Sequence, residues 1–132
     1  MRTASRELLA PRADVWGFLA EPYHLSDWWP GILGVEPDRR GFAPGARWKV
    51  RLQTQNIFTG RRQRETMLIV GEIAQFERWT WHLLSEKLDV ELRLQALAAE
   101  RTLVTCTTSG RRRLPEPALQ RLYDLVQTAG AF

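Results

Sequence analysis

The order of secondary-structure signals along the chain predicts an α+β fold, in which a curved antiparallel sheet of about seven strands wraps around a long C-terminal helix. One strand is followed by two short helices and then by a long run of alternating polar and apolar residues. The composition changes to helix-forming residues only after Gly110. A single helix must therefore cover one face of a large sheet, and a small molecule would bind between these two layers.

The first strand is predicted at residues 3 to 9, because polar and apolar side chains alternate there. Ala4, Arg6 and Leu8 share one face of this strand, while the residues between them lie on the other.

Two short helices follow the first strand. The first is predicted at residues 12 to 20, directly after Pro11, because a first helical turn does not need the N–H that proline lacks. The second is predicted at residues 24 to 28. It ends before Pro30, because a proline disfavours helical geometry at the residue before it.

Six further strands are predicted between the short helices and the last helix. The clearest alternation lies in the segment that starts at Leu88, and Gly71 predicts a bulge or bend in the sheet. The six strands are expected at residues 32 to 38, 47 to 53, 64 to 73, 76 to 83, 88 to 97 and 102 to 109.

The last helix is predicted at residues 115 to 129, with Gly130 at its end. Leu119, Leu122, Tyr123 and Val126 recur at helical spacing and form its apolar face. This face is expected to pack against the sheet.

The length of 132 residues predicts one domain that spans residues 1 to 132. The sequence has neither an apolar run of membrane-spanning length nor a secretory signal, so we expect a cytoplasmic protein without membrane insertion. The single cysteine, Cys106, is expected to be a core residue. Two histidines without a compact set of carboxylates predict no metal site, and no cofactor motif is present.

The net charge of +4 raises the question of nucleic-acid binding. Basic residues cluster at residues 61 to 64 and 111 to 113, beside Gly60 and Gly110, where turns are expected. Neither cluster has the interleaved aromatic residues that stack on bases. We therefore expect no nucleic-acid partner.

The segments at residues 10 to 19 and 24 to 31 carry a resemblance to a known superfamily. The first reads Ala-Pro-Arg-Ala-Asp-Val-Trp-Gly-Phe-Leu and the second reads His-Leu-Ser-Asp-Trp-Trp-Pro-Gly. Together with the order of elements, they resemble the START-like helix-grip (SRPBCC) superfamily, and within it the polyketide cyclase/dehydrase and lipid-transport branch. The resemblance implies a seven-stranded sheet around the last helix, with an apolar cavity between them.

Alternation along the strands identifies the side chains that would line such a cavity. They are mostly aliphatic and aromatic, as ligand pockets commonly are. The same residues would also suit a filled core, and this alternative stays open. The candidate ligand-binding residues are Trp28, Trp48, Val50, Leu52, Trp79, Trp81, Val90, Leu92, Val104, Leu119, Leu122, Tyr123 and Val126.

The segment Trp79-Thr80-Trp81-His82 has two possible orientations. Side chains alternate along a strand, so the two tryptophans lie on one face and His82 lies on the other. If the tryptophans face inward, His82 is a surface residue. If His82 faces inward, it is a candidate catalytic acid or base.

Three classes of function follow from these observations. The favoured class is the binding of a hydrophobic small molecule, such as a lipid, a quinone or a polyketide-like compound. The second class is an enzyme of the polyketide cyclase/dehydrase type, which would need polar residues inside the cavity. Its candidates are Arg78, His82, Thr108 and Tyr123.

The third class is a protein-interaction module that resembles the activators of heat-shock ATPases. Its contact surface would be the basic outer face of one strand, formed by Arg47, Lys49 and Arg51. Related folds often dimerise, so a homodimer is a further expected partner.

Overall fold

The computed structural model describes residues 1–56, 60–110 and 115–130. The helices are α1 (Arg12–Leu19), a 3-10 turn (Pro22–His24), α2 (Leu25–Trp28) and α3 (Pro115–Gly130). The strands are β1 (Arg2–Leu8), β2 (Ile32–Glu36), β3 (Arg47–Asn56), β4 (Gly60–Ala74), β5 (Arg78–Leu83), β6 (Leu88–Ala98) and β7 (Arg101–Ser109).

The seven strands form one antiparallel sheet in the order β1-β7-β6-β5-β4-β3-β2. Every pair of neighbours except β1 and β7 consists of strands that follow one another in the chain. The register between β4 and β5 shifts between Val70 and Ile73, so the irregularity predicted at Gly71 is confirmed. The added residues increase the local curvature, which turns the sheet around its inner face.

The C-terminal helix α3 lies on the inner face of the sheet, mainly against β1, with further contacts to β7, α1 and α2. Leu119, Leu122 and Val126 are buried on its sheet-facing side, as the helical spacing predicted. The predicted α+β helix-grip class is therefore confirmed, with two short helices after the first strand.

Several predicted boundaries differ from the structure. The strand expected to begin at residue 64 begins at Gly60, because the β3–β4 hairpin continues its pairing out to Asn56 and Gly60. The basic cluster at residues 61 to 64 therefore lies within a strand, and its prediction as a turn is wrong. The cluster at residues 111 to 113 lies outside the described residues.

The strand expected from residue 76 begins at Arg78, because residues 75 to 77 form a turn. Phe76 has a φ of 67° there, a left-handed conformation that is costly for a bulky residue. Its ring packs against Trp16 of α1, with the centroids 6.4 Å apart. The contact joins this turn to α1.

None of the helices in the described ranges is both long enough and apolar enough to cross a membrane.

Candidate ligand-binding interior

Strand β5 presents its tryptophans to the inside of the molecule. Trp79, Trp81 and Leu83 are buried, whereas Arg78, Thr80 and His82 are only partly covered. The tryptophans therefore occupy the same face as the apolar side chains of β6, and His82 lies on the outer face. The structure thus selects the first of the two orientations that the sequence left open.

The inner face of the sheet carries a connected set of aromatic rings, which we call the aromatic array. Trp81 lies in edge-to-face contact with Trp29 at 5.0 Å, and Trp79 contacts Phe42 at 5.1 Å. Trp79 and Trp81 themselves are 6.1 Å apart, so these contacts join into one network. The array consists of Trp16, Trp28, Trp29, Phe42, Trp48, Phe76, Trp79 and Trp81.

The indole N–H groups of the array differ in their hydrogen bonding. Trp48 donates from Nε1 to the carbonyl oxygen of Gly41 at 2.7 Å. Trp79 and Trp81 are buried to at least 98%, and within the described part of the chain their Nε1 atoms have no acceptor. A buried donor without an acceptor costs about 1–3 kcal/mol, and among the described residues both of these indole groups bear that cost.

The structure brings the predicted lining residues to one interior. All but one of the thirteen candidates are buried, and Tyr123 is half-buried. Their burial alone does not separate a binding surface from a filled core. They are Trp28, Trp48, Val50, Leu52, Trp79, Trp81, Val90, Leu92, Val104, Leu119, Leu122, Tyr123 and Val126.

Four members of the array were not among the candidates: Trp16, Trp29, Phe42 and Phe76. Trp29 follows a helix and Phe42 lies in the segment between β2 and β3, where no periodicity indicates a face. Trp16 sits on α1 beside Val15, and its place in the first amphipathic helix was the one available signal.

His82 lies on the outer face of the sheet beside Asp89. Its Nδ1 atom is 2.7 Å from Oδ1 of Asp89, which faces it across the β5–β6 pairing. Both side chains line an open cavity of about 290 Å³, together with Thr80, Glu91 and Thr107. Trp81 and Val90, whose side chains are buried on the inner face, also border this cavity.

Two of the four polar candidates for catalysis lie on the outer face. Besides His82, Arg78 forms an ion pair there, 2.8 Å from Glu91, and contacts Glu72 as well. Hydrogen bonds from Arg93 and then Arg78 hold the pKa of Glu91 below its usual value.

The other two polar candidates belong to the inner side. Thr108 is buried on β7, and Tyr123 is half-buried on α3. The four candidates are therefore divided between the two faces of the sheet and do not form one cluster.

Cys106 is buried on the inner face, as predicted, and burial raises the pKa of its thiol to about 12. The thiol is therefore protonated at neutral pH. Thiolates are the reactive form of cysteine, so this residue behaves as a small apolar side chain in the folded protein.

His24 contributes to local structure. Its Nδ1 atom is 2.8 Å from the carbonyl oxygen of Phe18, and its ring stacks on the Phe18 ring at 4.2 Å. Asp27 is exposed. Within the described ranges, no group of three or more histidine, cysteine or carboxylate side chains is arranged to hold a metal ion.

The basic outer surface of β3 is formed as the alternation predicted. Arg47, Lys49 and Arg51 are exposed on the face opposite the buried Trp48, Val50 and Leu52. Carboxylates lie beside them, because Lys49 pairs with Glu36 and Arg51 pairs with Glu65 in the strand registers.

Searches against protein-family models and curated proteins found no match. Among solved structures, the chain is similar to protein NE0264 of Nitrosomonas europaea, with a TM-score of 0.69, 19% identity and coverage of 98% of this chain and 96% of the other. It is also similar to the di-domain ARO/CYC StfQ of the steffimycin biosynthetic pathway, with a TM-score of 0.69 and 15% identity. The match covers 98% of this chain but 45% of StfQ.

A third similar structure is a protein of unknown function from Staphylococcus aureus, with a TM-score of 0.67 and 12% identity over 98% of this chain and 96% of that one. Structural similarity at sequence identities this low shows a shared fold. The neighbours therefore agree with the architecture of a sheet around a C-terminal helix, which this chain shares with StfQ and with the Staphylococcus aureus protein.

Proposed function

We propose that the protein binds a hydrophobic small molecule between the sheet and the helices, and that an oxygen atom of this molecule accepts hydrogen bonds from Trp79 and Trp81. The observation that carries the proposal is the pair of buried Nε1 atoms for which the described part of the chain offers no acceptor. A guest with a suitably placed oxygen would remove the cost of leaving these two donors without an acceptor. The similarity in fold to StfQ supports a ligand-binding architecture of this kind.

The surroundings of these donors favour a guest with an apolar ring system. The neighbouring rings meet edge to face or at tilted angles, between 5.0 Å and 6.1 Å apart, and flat apolar molecules pack well against such faces. Burial of apolar area contributes about 25 cal/mol per Å² before the costs of association. A quinone or a polyketide-like compound has both the ring and the carbonyl oxygen, whereas an acyl chain offers no acceptor along its length.

Phe42 is the array residue that would move to admit a guest. It is half-buried, lies between β2 and β3, and contacts Trp16 at 5.7 Å and Trp79 at 5.1 Å. Rotation of this ring would open the array at Trp79. The hydrogen bond from Trp48 to the carbonyl oxygen of Gly41 holds the backbone next to Phe42 in place. Movement of the Phe42 side chain would therefore be sufficient to admit a guest.

A matched pair of ring compounds tests the proposal. Fluorenone and fluorene have the same ring skeleton, and only fluorenone has a carbonyl oxygen. We expect fluorenone to bind at least about fivefold more tightly, as measured by quenching of tryptophan fluorescence, because one neutral hydrogen bond contributes about 1 kcal/mol. The double variant Trp79→Phe/Trp81→Phe should bind both compounds equally.

His82→Gln is the matched control, because His82 is on the same strand but on the outer face. It should leave the preference for fluorenone unchanged. Equal binding of the two compounds by the unaltered protein, or the same preference in the double tryptophan variant, would contradict the proposal. Native mass spectrometry of freshly purified protein provides an independent measurement, because a retained hydrophobic molecule would add a discrete mass.

A polyketide cyclase/dehydrase activity is the second candidate, and the similarity to StfQ is the observation that favours it. In this chain the inward polar candidates would be Thr108 and Tyr123, which would have to assist proton transfers in a bound chain. Conversion of a bound polyketide by the unaltered protein, and its loss in Tyr123→Phe, would favour this activity over binding alone.

The third candidate function is a protein-interaction module, and its contact surface would be the basic outer face of β3. Reversal of Arg47, Lys49 and Arg51 to glutamate would abolish capture of a protein partner in that case and would leave fluorenone binding intact. We also propose that residues 1 to 132 form a single domain, that the protein is cytoplasmic and that it forms a homodimer.

A further inference from the structure

We propose that Arg6 binds an anionic group, such as a carboxylate, at the end of the guest's apolar body. This inference rests on the proposed function and extends it to the charge of the ligand. It starts from the position of Arg6 on β1, where its register partner is the fully buried Val104 of β7. Side chains that pair across antiparallel strands lie on the same face, so Arg6 rises from the inner face of the sheet.

The guanidinium group of Arg6 lies over α3. Its Cζ atom is 4.4 Å from the centroid of the Tyr123 ring, which is half-buried against the core. Arg6 therefore lies at the seam between the edge strand and the helix. Such a cation–π contact orients the guanidinium group but leaves its N–H groups available to an acceptor.

Arg6 also differs from the ion-paired arginines of the sheet. Arg78, Arg93 and Arg101 each contact a glutamate on the outer face. The Nε atom of Arg6 is buried and has no hydrogen-bond partner within the described ranges, and no described carboxylate forms an ion pair with it. A partly desolvated guanidinium without an anion is costly, and a bidentate carboxylate matches its geometry.

The strand order indicates the length of the guest. Arg6 is on β1 and the two unpaired indoles are on β5, so β7 and β6 lie between them. Three strand spacings correspond to about 14 Å along the sheet. The ligand class is therefore an elongated apolar acid, with an anion at one end and an acceptor or ring at the other.

Retinoate and retinol form a matched pair of probes for this class, because they share an elongated apolar body and differ in the charged end. We expect retinoate to bind about tenfold more tightly than retinol, because a hydrogen bond between two charged groups is stronger than one between neutral groups. Quenching of tryptophan fluorescence measures both affinities. Arg6→Met should bring the ratio of the two affinities close to one, and Arg6→Lys should keep part of the preference.

Arg121→Met is the control, because it removes one positive charge from an exposed position on α3. It should keep the full preference for retinoate. An unchanged ratio in Arg6→Met, or an equal loss in Arg121→Met, would overturn the inference. Near-ultraviolet circular dichroism of the tryptophans verifies that each variant is folded.

The two proposals fail in different ways. If neither retinol nor fluorenone binds the unaltered protein, the proposed function is wrong. If retinol binds and retinoate binds no more tightly, the interior takes a guest, but the role of Arg6 is wrong.

Discussion

The inner face of the sheet has two halves that are filled in different ways. Helix α3 covers the half formed by β1 and β7, where aliphatic side chains such as Leu119, Leu122 and Val104 are buried. The aromatic array, whose strand members lie on β3 and β5, fills the other half. Both halves are buried, so burial alone gives no reason to assign a function to either of them.

The hydroxyl donor of Thr102 and the indole donors of the array differ in their hydrogen bonding. In the helix-covered half, the buried Thr102 donates to the carbonyl oxygen of Ala10 at 2.8 Å. In the array, the Nε1 atoms of Trp79 and Trp81 have no described acceptor. Buried polar groups in a structural core are normally satisfied. Among the described residues, the two indole donors in the array and the buried Nε atom of Arg6 at the seam with α3 therefore mark the two ends of the region suited to a guest. The following predictions test this division, beginning with the largest effect.

Leu122→Ala should lower the free energy of unfolding by about 2–5 kcal/mol, because it leaves a cavity where α3 packs against the sheet. Urea denaturation followed by circular dichroism measures the change. Arg121→Ala, at an exposed position on the same helix, should change stability by less than about 0.5 kcal/mol. Equal losses in the two variants would show that α3 does not anchor this half.

Alkaline pH should destabilise the helix-covered half through Cys106. The unfolded thiol loses its proton near the ordinary pKa of 9.0, whereas burial raises the pKa of the folded thiol to about 12. Between these values the unfolded state binds fewer protons, so stability present below pH 9 falls as pH rises, by up to about 1.4 kcal/mol per pH unit.

Comparison of the unaltered protein with Cys106→Ala isolates this contribution. Urea titrations at pH 8 and pH 10 should show a smaller loss of stability in the variant. The thiol should also react with a disulfide reagent only after unfolding. Rapid modification of the folded protein at pH 8 would show that Cys106 is not buried as described.

Tryptophan-to-phenylalanine substitutions should distinguish the indoles within the array. Trp48→Phe removes a hydrogen bond and leaves the Gly41 carbonyl without its donor, whereas Trp81→Phe removes a donor that has no partner. Trp48→Phe should therefore be the more destabilising by about 1 kcal/mol in the ligand-free protein. A greater loss in Trp81→Phe would mean that this indole has an acceptor.

The sequence predicted the fold well. Alternation along the strands and helical spacing along α3 arise because each of these elements buries one of its faces. It placed Trp79 and Trp81 together on one side of β5. It could not decide whether that side was the inner one, because alternation gives the set of residues that share a face and not the direction in which the face points.

The candidate site was predicted less completely. Phe42 lies outside any periodic element, and the importance of Trp29 depends on its contact with Trp81, which belongs to a distant strand. Alternation did place Arg6 on the face of Leu8. The role proposed for Arg6 depends on Tyr123 of α3, which lies beneath the guanidinium group and is distant in the sequence.

The most direct test of the account is the behaviour of the indole N–H signals when fluorenone is added to nitrogen-15-labelled protein. Signals of Trp79 and Trp81, assigned with the phenylalanine variants, should move downfield as they acquire an acceptor, and the signal of Trp48 should move less because its hydrogen bond already exists. Fluorene should produce no such downfield shift. Unchanged Trp79 and Trp81 signals in the presence of saturating fluorenone would contradict the central claim that this half of the interior is a binding site.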